Sequence, residues 1–150
     1  LIGNHDILGN GKEVFEQVYG DENFAFIAGN TKFVCMNTNA LEYDYSHPVP
    51  DFDFISREAA DSARYSKTVA VMHVKPYDDQ FNNNVARLFH AEIKKFPSLQ
   101  FALHAHNHKL QTTDVFKDGI IYYGCASMKQ RNYMVFTLTT NGYSYEVVNY

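Results

Sequence analysis

The sequence predicts an α/β domain in which helices and parallel strands alternate before a series of antiparallel hairpins. Residues 68–72 form a short, continuous apolar run, which is typical of a strand buried on both faces, and residues 99–103 predict another buried strand. Each of the two follows a predicted helix. The last third of the chain instead alternates apolar and polar residues between glycine-containing turns, which is typical of antiparallel strands. Together these patterns favour a layered α/β architecture.

The first third of the chain predicts a loop, a helix and a hairpin. Residues 3–11 are rich in glycine and asparagine and predict a loop. Residues 12–19 carry apolar side chains at helical spacing, and Gly20 is a fitting helix stop. Two β-rich runs, residues 24–28 and 32–37, then flank a glycine-containing turn, so we expect them to pair as a hairpin.

The rest of the chain contains the two strand-preceding helices and the C-terminal strands. Residues 38–51 look irregular, whereas residues 52–65 and 84–96 predict helices. Further strands are predicted near residues 110–116, 119–124, 132–139 and 143–149, with hairpin turns at 117–119 and 140–142. Because no repeat or linker interrupts these elements, we expect a single domain spanning residues 1–150.

Composition excludes several classes of protein. The chain has 150 residues, 45% of them hydrophobic, which is enough for a sizeable core. Its formal net charge is -4 and no block of Lys or Arg occurs, so we expect no nucleic-acid surface. No apolar run approaches about 18 residues, so we expect no membrane span. Cys35 and Cys125 lack metal-ligand spacing and are too few for a disulfide framework, so we expect buried thiols.

Three polar clusters follow apolar, strand-like runs, and they predict a metal site. The clusters are Asn4-His5-Asp6, His73 and His104-Ala105-His106-Asn107-His108. Open α/β sheets bind ligands at the carboxyl ends of their strands, and imidazole, amide and carboxylate groups suit Zn, Mn or Fe. If the last cluster continues a strand, its alternate histidines point the same way.

Taken alone, several of these histidines also suit an ordinary structural role. His5 by itself is compatible with a plain loop residue, and His73 with a hydrogen-bonded core residue. His47 and His90 lack a strand-end context, so we interpret both as structural or solvated.

The three clusters resemble motifs of the calcineurin-like metallophosphoesterase family. That family carries D-x-H, then G-D, then G-N-H followed by Asp or Glu, then a lone His after a buried strand, then G-H-x-H. Gly3-Asn4-His5-Asp6 matches the third motif in full, His73 resembles the fourth, and Ala105-His106-Asn107-His108 matches the fifth with Ala in place of Gly. The three occur in the family's order along nearly the whole chain.

The resemblance implies a phosphoesterase fold whose N-terminal strands are missing. The D-x-H and G-D motifs are absent, so it implies roughly the C-terminal two-thirds of a phosphoesterase domain. That would be a layered metallophosphoesterase-like sheet sandwich flanked by helices and missing its N-terminal strands. Leu1-Ile2 would be the last residues of an interrupted strand. Unpaired sheet edges would remain, and we expect self-association through such an exposed edge.

The resemblance also implies a role for each matching residue. Asn4, His73 and His106 would bind the second metal ion, and His108 the first. His5 would be the general acid near the leaving group, and Asp6 would orient it.

The implied activity is that of a metal-dependent phosphoesterase. The full-length parent would hydrolyse mono- or diesters of a phosphorylated small molecule with a metal-activated water, using two divalent ions (Mn, Fe or Zn). Without the first two motifs, we expect this chain to bind at most one ion and to be weak or inactive as a catalyst.

Two other interpretations stay open at the level of the sequence. A non-catalytic metal-binding or interaction module that keeps the fold would be consistent with Ala105 in place of Gly and with the additional His104. A zinc amidohydrolase also carries H-x-H, but there it follows the first strand and not one near the end of the domain, so we rank this reading last.

Overall fold

The computed structural model describes residues 1–41, 48–61 and 64–150 and has the predicted α/β class. The helices among these described residues are α1 (Gly11–Tyr19), α2 (Phe52–Ala60) and α3 (Ala86–Ile93). The strands are β1 (Phe24–Ala28), β2 (Thr31–Met36), β3 (Lys67–Met72), β4 (Leu99–His104), β5 (Gln111–Thr113), β6 (Tyr122–Gly124), β7 (Asn132–Thr139) and β8 (Gly142–Asn149). Short 3₁₀ turns cover Asn83–Val85 and Met128–Gln130.

Six of the strands form one mixed sheet in the order β1-β2-β3-β4-β6-β5. The central strands β2, β3, β4 and β6 are parallel, and the edge strands β1 and β5 are antiparallel to their neighbours. Strands β7 and β8 form a separate two-stranded antiparallel sheet. Because β3 and β4 are central and parallel, their carboxyl ends lie side by side at one edge of the sheet.

The large sheet is covered on both faces, which explains the continuous apolar run in β3 and the mainly apolar sequence of β4. On one face, Ala70 and Met72 of β3 join a buried cluster with Phe89 and Ile93 of α3. On the other face, Phe101 of β4 packs under the β7–β8 hairpin, where its ring lies 4.6 Å from that of Phe136. Since neighbouring positions of a strand face opposite layers, both must be apolar.

Several predicted elements are shorter in the structure. Helix α2 ends at Ala60 and not at residue 65, because Asp61 has a non-helical ψ of 84°. Helix α3 covers only Ala86–Ile93, preceded by the 3₁₀ turn. No strand is assigned at Leu1-Ile2, which are followed directly by a turn.

The predicted strands at 110–116 and 119–124 also shrink, to β5 and β6. The carboxylate of Asp114 accepts hydrogen bonds from the backbone N–H groups of Asp118 (3.1 Å) and Gly119 (3.0 Å). These bonds stabilise a local loop where the sequence pattern predicted a tight hairpin turn between longer strands. The other predicted turn is confirmed, since Thr139 pairs with Gly142 across a two-residue connection.

The sequence also led to expectations about the cysteines, membrane spans and the edge of the sheet. Cys35 and Cys125 are both free thiols, the first buried and the second half-buried, and burial raises the pKa of Cys35 to about 11. Within the described ranges, no helix is long and apolar enough to cross a membrane. Edge strand β1 exposes Phe24, Phe26 and Ile27. Self-association through such an edge stays a prediction.

His90 has a structural role, as predicted, whereas His47 lies outside the described residues. The buried His90 ring lies 2.9 Å from both the hydroxyl of Tyr122 and the carboxylate of Asp118. It also stacks on Phe116, with ring centroids 3.9 Å apart. Lys94 donates a further hydrogen bond to Asp118, so this carboxylate joins α3 to the loop before β6.

We expect this carboxylate to make stability depend on pH in the acid range. Partial burial raises the pKa of Asp118, but hydrogen bonds from Lys94 and His90 outweigh it and lower the pKa from 3.8 to about 2. A lowered pKa means that the stabilisation is fully present above pH 3.8 and is lost as the pH falls through about 2. The difference in unfolding free energy between wild type and Asp118→Asn, measured in urea, should therefore shrink over that interval.

Lys94→Met should cause part of the loss of stability seen in Asp118→Asn, because it removes one of the two side chains that donate to the Asp118 carboxylate. A difference between wild type and Asp118→Asn that stays constant down to pH 2 would contradict the lowered pKa.

Candidate metal site

The first part of the site is a tight turn at the start of the chain. The N–H of Asp6 donates to the carbonyl of Gly3 (3.0 Å), and the carboxylate of Asp6 accepts the N–H of Gly3 (2.8 Å). This closed turn buries Asn4, which is 8% exposed, and leaves His5 and Asp6 exposed. Gly3 allows a close approach, since a Cβ there would lie 3.4 Å from Cε1 of His73.

His73 follows β3 and contacts this turn directly. Its Nε2 lies 2.9 Å from Oδ1 of Asn4. Burial, together with the charge of the neighbouring His106, lowers the pKa of His73 to about 4, whereas Asp6 opposes the shift. The imidazole is therefore neutral near pH 7 and keeps a lone pair for a metal ion.

The third part is the loop after β4, where the sequence prediction of an alternating strand is wrong. Strand β4 ends at His104, and His106 and His108 have positive φ angles of 60° and 55°. The N–H of Asn107 donates to the carbonyl of Ala105 (2.7 Å), which turns the chain away from the sheet. The histidines consequently do not share one side: His106 lies against His73, with ring centroids 5.5 Å apart, whereas His108 is exposed.

His104 belongs to the sheet and not to this cluster. It is 2% exposed, and a Cβ at Gly124 would lie 2.8 Å from its Cε1, so glycine leaves room for the ring. Burial lowers the pKa of His104 to about 4. Among the described residues, its Nε2 has no hydrogen-bond partner.

The structure thus brings three of the predicted residues together. Asn4, His73 and His106 are in contact or adjacent at the end of β3. His5, Asp6 and His108 surround them, and each is close enough for its charge to act on the pKa of His73. The carboxylate of Asp6 closes the turn by accepting the N–H of Gly3. That Asp6 also orients His5 stays a prediction.

One observation supports and one opposes the idea that the side chains of this cluster hold a metal ion. Ligand atoms at neighbouring positions on an ion with bonds of about 2.0–2.1 Å lie about 3 Å apart, and Asn4 Oδ1 and His73 Nε2 are separated by 2.9 Å. Over the ranges that the structure describes, however, no three His, Cys, Asp or Glu side chains are arranged to hold a metal. The cluster offers two imidazoles and an amide, so it suits part of a coordination shell.

Sequence reasoning missed the residues that fix the histidine loop. Nδ2 of Asn107 donates to Oδ2 of Asp78 (2.7 Å), and Lys75 donates to the other oxygen of that carboxylate. Gln130 donates to the carbonyl of His108. The one available signal was the polar Asn107 between two candidate ligands; nothing in the pattern singled out Asp78.

Comparison with known proteins adds no assignment. No protein-family model matches the chain, and no curated protein matches it either. The case for function is therefore made from the motifs and from the geometry of the cluster.

Proposed function

We propose that the chain carries the histidine and asparagine half of a two-metal phosphoesterase site. The parent enzyme would hydrolyse phosphate mono- or diesters of a small molecule. In this proposal the mixed sheet and the β7–β8 hairpin form the two layers of a calcineurin-like domain that lacks its N-terminal strands. The observation that carries it is the meeting of Asn4 and His73, 69 positions apart in sequence, with Oδ1 and Nε2 at 2.9 Å.

The neighbouring histidines support the same assignment. The ring of His106 is adjacent to that of His73. His108 is exposed, and in this proposal it would be a ligand of a separate, first metal. Since its further ligands would come from the absent D-x-H and G-D motifs, this chain would hold at most one ion (Mn, Fe or Zn), through Asn4, His73 and His106.

In this proposal the remaining residues of the cluster would assist the reaction. When bound, the metal ions would neutralise phosphate charge and lower the pKa of the attacking water. His5 is exposed beside the ligand Asn4, where its imidazole can give a proton to the departing alcohol oxygen. Asp6 keeps the turn closed, so that Asn4 faces His73 while His5 faces solvent. The burial of His73 disfavours its protonation, which would compete with the metal.

Elemental analysis tests this proposal most directly. After incubation with Mn²⁺ or Zn²⁺ and desalting, the chain should retain about one metal ion, which His106→Ala should lose because it removes one of the ligands. His5→Ala is the matched control: it removes an exposed histidine of the same cluster that is not a proposed ligand, so its metal content should be unchanged. An ion retained by His106→Ala, or none in the wild type, would contradict the proposed site.

A second candidate function is a metal-binding or interaction module without catalysis. It is favoured by Ala105 in the position of the motif's glycine and by the additional His104, which is buried in the sheet. The two functions differ in their need for His5. In a longer chain that includes the D-x-H and G-D motifs, His5→Ala should reduce phosphoesterase turnover by about 10²- to 10⁴-fold if His5 is the general acid. Unchanged turnover would exclude that role.

A further inference from the structure

A buried ion pair lies behind the histidine loop and connects it to the loop after β3. The side chains of Lys75 and Asp78 are 11% and 12% exposed, and Lys75 donates to Oδ1 of Asp78. Oδ2 of the same carboxylate accepts the amide of Asn107 at 2.7 Å. Asp78 therefore joins two loops that are 29 positions apart in sequence, and each of its oxygens has a side-chain donor.

Asn107 lies between two residues in an unusual backbone conformation. His106 and His108, on either side of it, both have positive φ angles, which residues with a Cβ adopt only at a cost in free energy. Such a conformation persists when surrounding contacts determine it. The charge-assisted bond between Asn107 and Asp78 is one such contact, and it originates outside the loop.

The Asp78 loop is itself held by several bonds, so it can act as a fixed support. The N–H of Asp78 donates to the carbonyl of Lys75 (3.2 Å), and the carbonyl of Asp78 accepts the amide of Asn83 (3.2 Å). Oδ1 of Asn83 also accepts the N–H of Tyr77 (2.8 Å). A carboxylate anchored in this way can fix the side chain that it accepts from.

We propose that Asp78 is a positioning residue of the candidate metal site. It holds Asn107, and through it the flanking His106 and His108, in the conformation that brings His106 against His73. Lys75 neutralises the buried carboxylate and directs its second oxygen toward Asn107. The expected effect on metal affinity rests on the proposed function. The ordering of the loop, in contrast, can be measured without any metal.

Two single variants test the hydrogen bond between Asn107 and Asp78, one by changing the acceptor and one by removing the donor. Asp78→Asn leaves one carbonyl oxygen to serve two donors, and Asn107→Ala removes the donor while keeping the Lys75–Asp78 pair. Each should raise the Zn²⁺ dissociation constant, measured by competition with a chromophoric chelator, by about 10- to 100-fold, as is usual for groups that orient metal ligands. In the metal-free protein, both should also speed hydrogen exchange of the amides of residues 105–108.

A double variant and a matched control separate positioning from general stability. In Asp78→Asn/Asn107→Asp the amide and the carboxylate trade places, so the bond can reform, and both affinity and amide protection should return toward wild type. The single variant Asn107→Asp reports whether the new carboxylate binds metal by itself. Asp118→Asn is the control, because Asp118 also bridges a lysine and a second side chain but lies in another loop. It should lower stability and leave the dissociation constant unchanged.

The outcomes distinguish this inference from the proposed function. If the wild type binds Zn²⁺ while Asp78→Asn and Asn107→Ala bind it equally well, or if the exchange of residues 105–108 is unchanged in both, Asp78 does not position the loop. If the wild type binds no metal, the proposed function fails, and the exchange measurement still decides whether Asp78 orders the histidine loop. If the double variant does not recover either affinity or amide protection, the losses in the single variants do not come from the bond between Asp78 and Asn107, and the proposal is wrong.

Discussion

Saturating Zn²⁺ or Mn²⁺ should raise the free energy of unfolding of this chain by about 2.7 kcal/mol when the free metal exceeds its dissociation constant 100-fold. The reason is that Asn4, His73 and His106 lie together only in the folded chain, since 69 positions separate the first two in sequence. For a protein of 150 residues, this corresponds to a rise in melting temperature of about 5–10 °C. Thermal unfolding at fixed protein concentration, with and without metal, measures it.

Two variants identify the source of this stabilisation. His73→Ala should melt at the same temperature with and without metal, because it removes the ligand that contacts Asn4. His5→Ala should keep the full gain. Because the half-buried His73 also packs in the folded state, each variant is compared with itself in the two conditions. An equal gain in wild type and His73→Ala would place the bound metal elsewhere in the chain.

Gly11→Ala should destabilise the protein by about 1–3 kcal/mol, as overpacking of a close contact does. A Cβ at Gly11 would lie 2.3 Å from the carbonyl oxygen of Asp6 and 3.0 Å from its carbonyl carbon. Both are backbone atoms of the turn that carries Asn4, so they move only if the turn moves. We therefore expect weaker metal binding together with the loss of stability.

Urea unfolding and Zn²⁺ competition on the same preparation measure both effects of Gly11→Ala. Glu13→Ala is the control: it places the same side chain on the exposed surface of α1, two positions further on, away from the turn. Unchanged stability and affinity in Gly11→Ala would show that α1 shifts freely relative to the turn. In that case α1 would not help to position Asn4.

Much of the α/β fold could be predicted because burial on two faces leaves a clear pattern in the sequence. The apolar runs that became β3 and β4 were recognisable since the helices cover one face of the sheet and the β7–β8 hairpin covers the other. The β7–β8 hairpin was predicted almost to the residue, because its strands alternate and a tight turn separates them. Helix ends were less accurate, as the early end of α2 at Ala60 shows.

The candidate site was predicted in its residues but not in its geometry. Polar groups after β3 and β4 were expected to meet, and His73 and His106 do lie together. The alternation expected for the three histidines was wrong, because the strand stops at His104 and the chain then enters left-handed conformations. Local patterns cannot predict such conformations at residues other than glycine, since contacts from elsewhere stabilise them.

The sequence by itself determined the strands and helices of this protein and the chemical character of the groups at the ends of β3 and β4. Only the tertiary structure decided that His106 and not His108 lies against His73, and that Asp78 supports their loop. The physical reason is separation along the chain. Asn4 and His73 are 69 positions apart and Asp78 and Asn107 are 29, so both contacts depend on how the sheet brings its loops together.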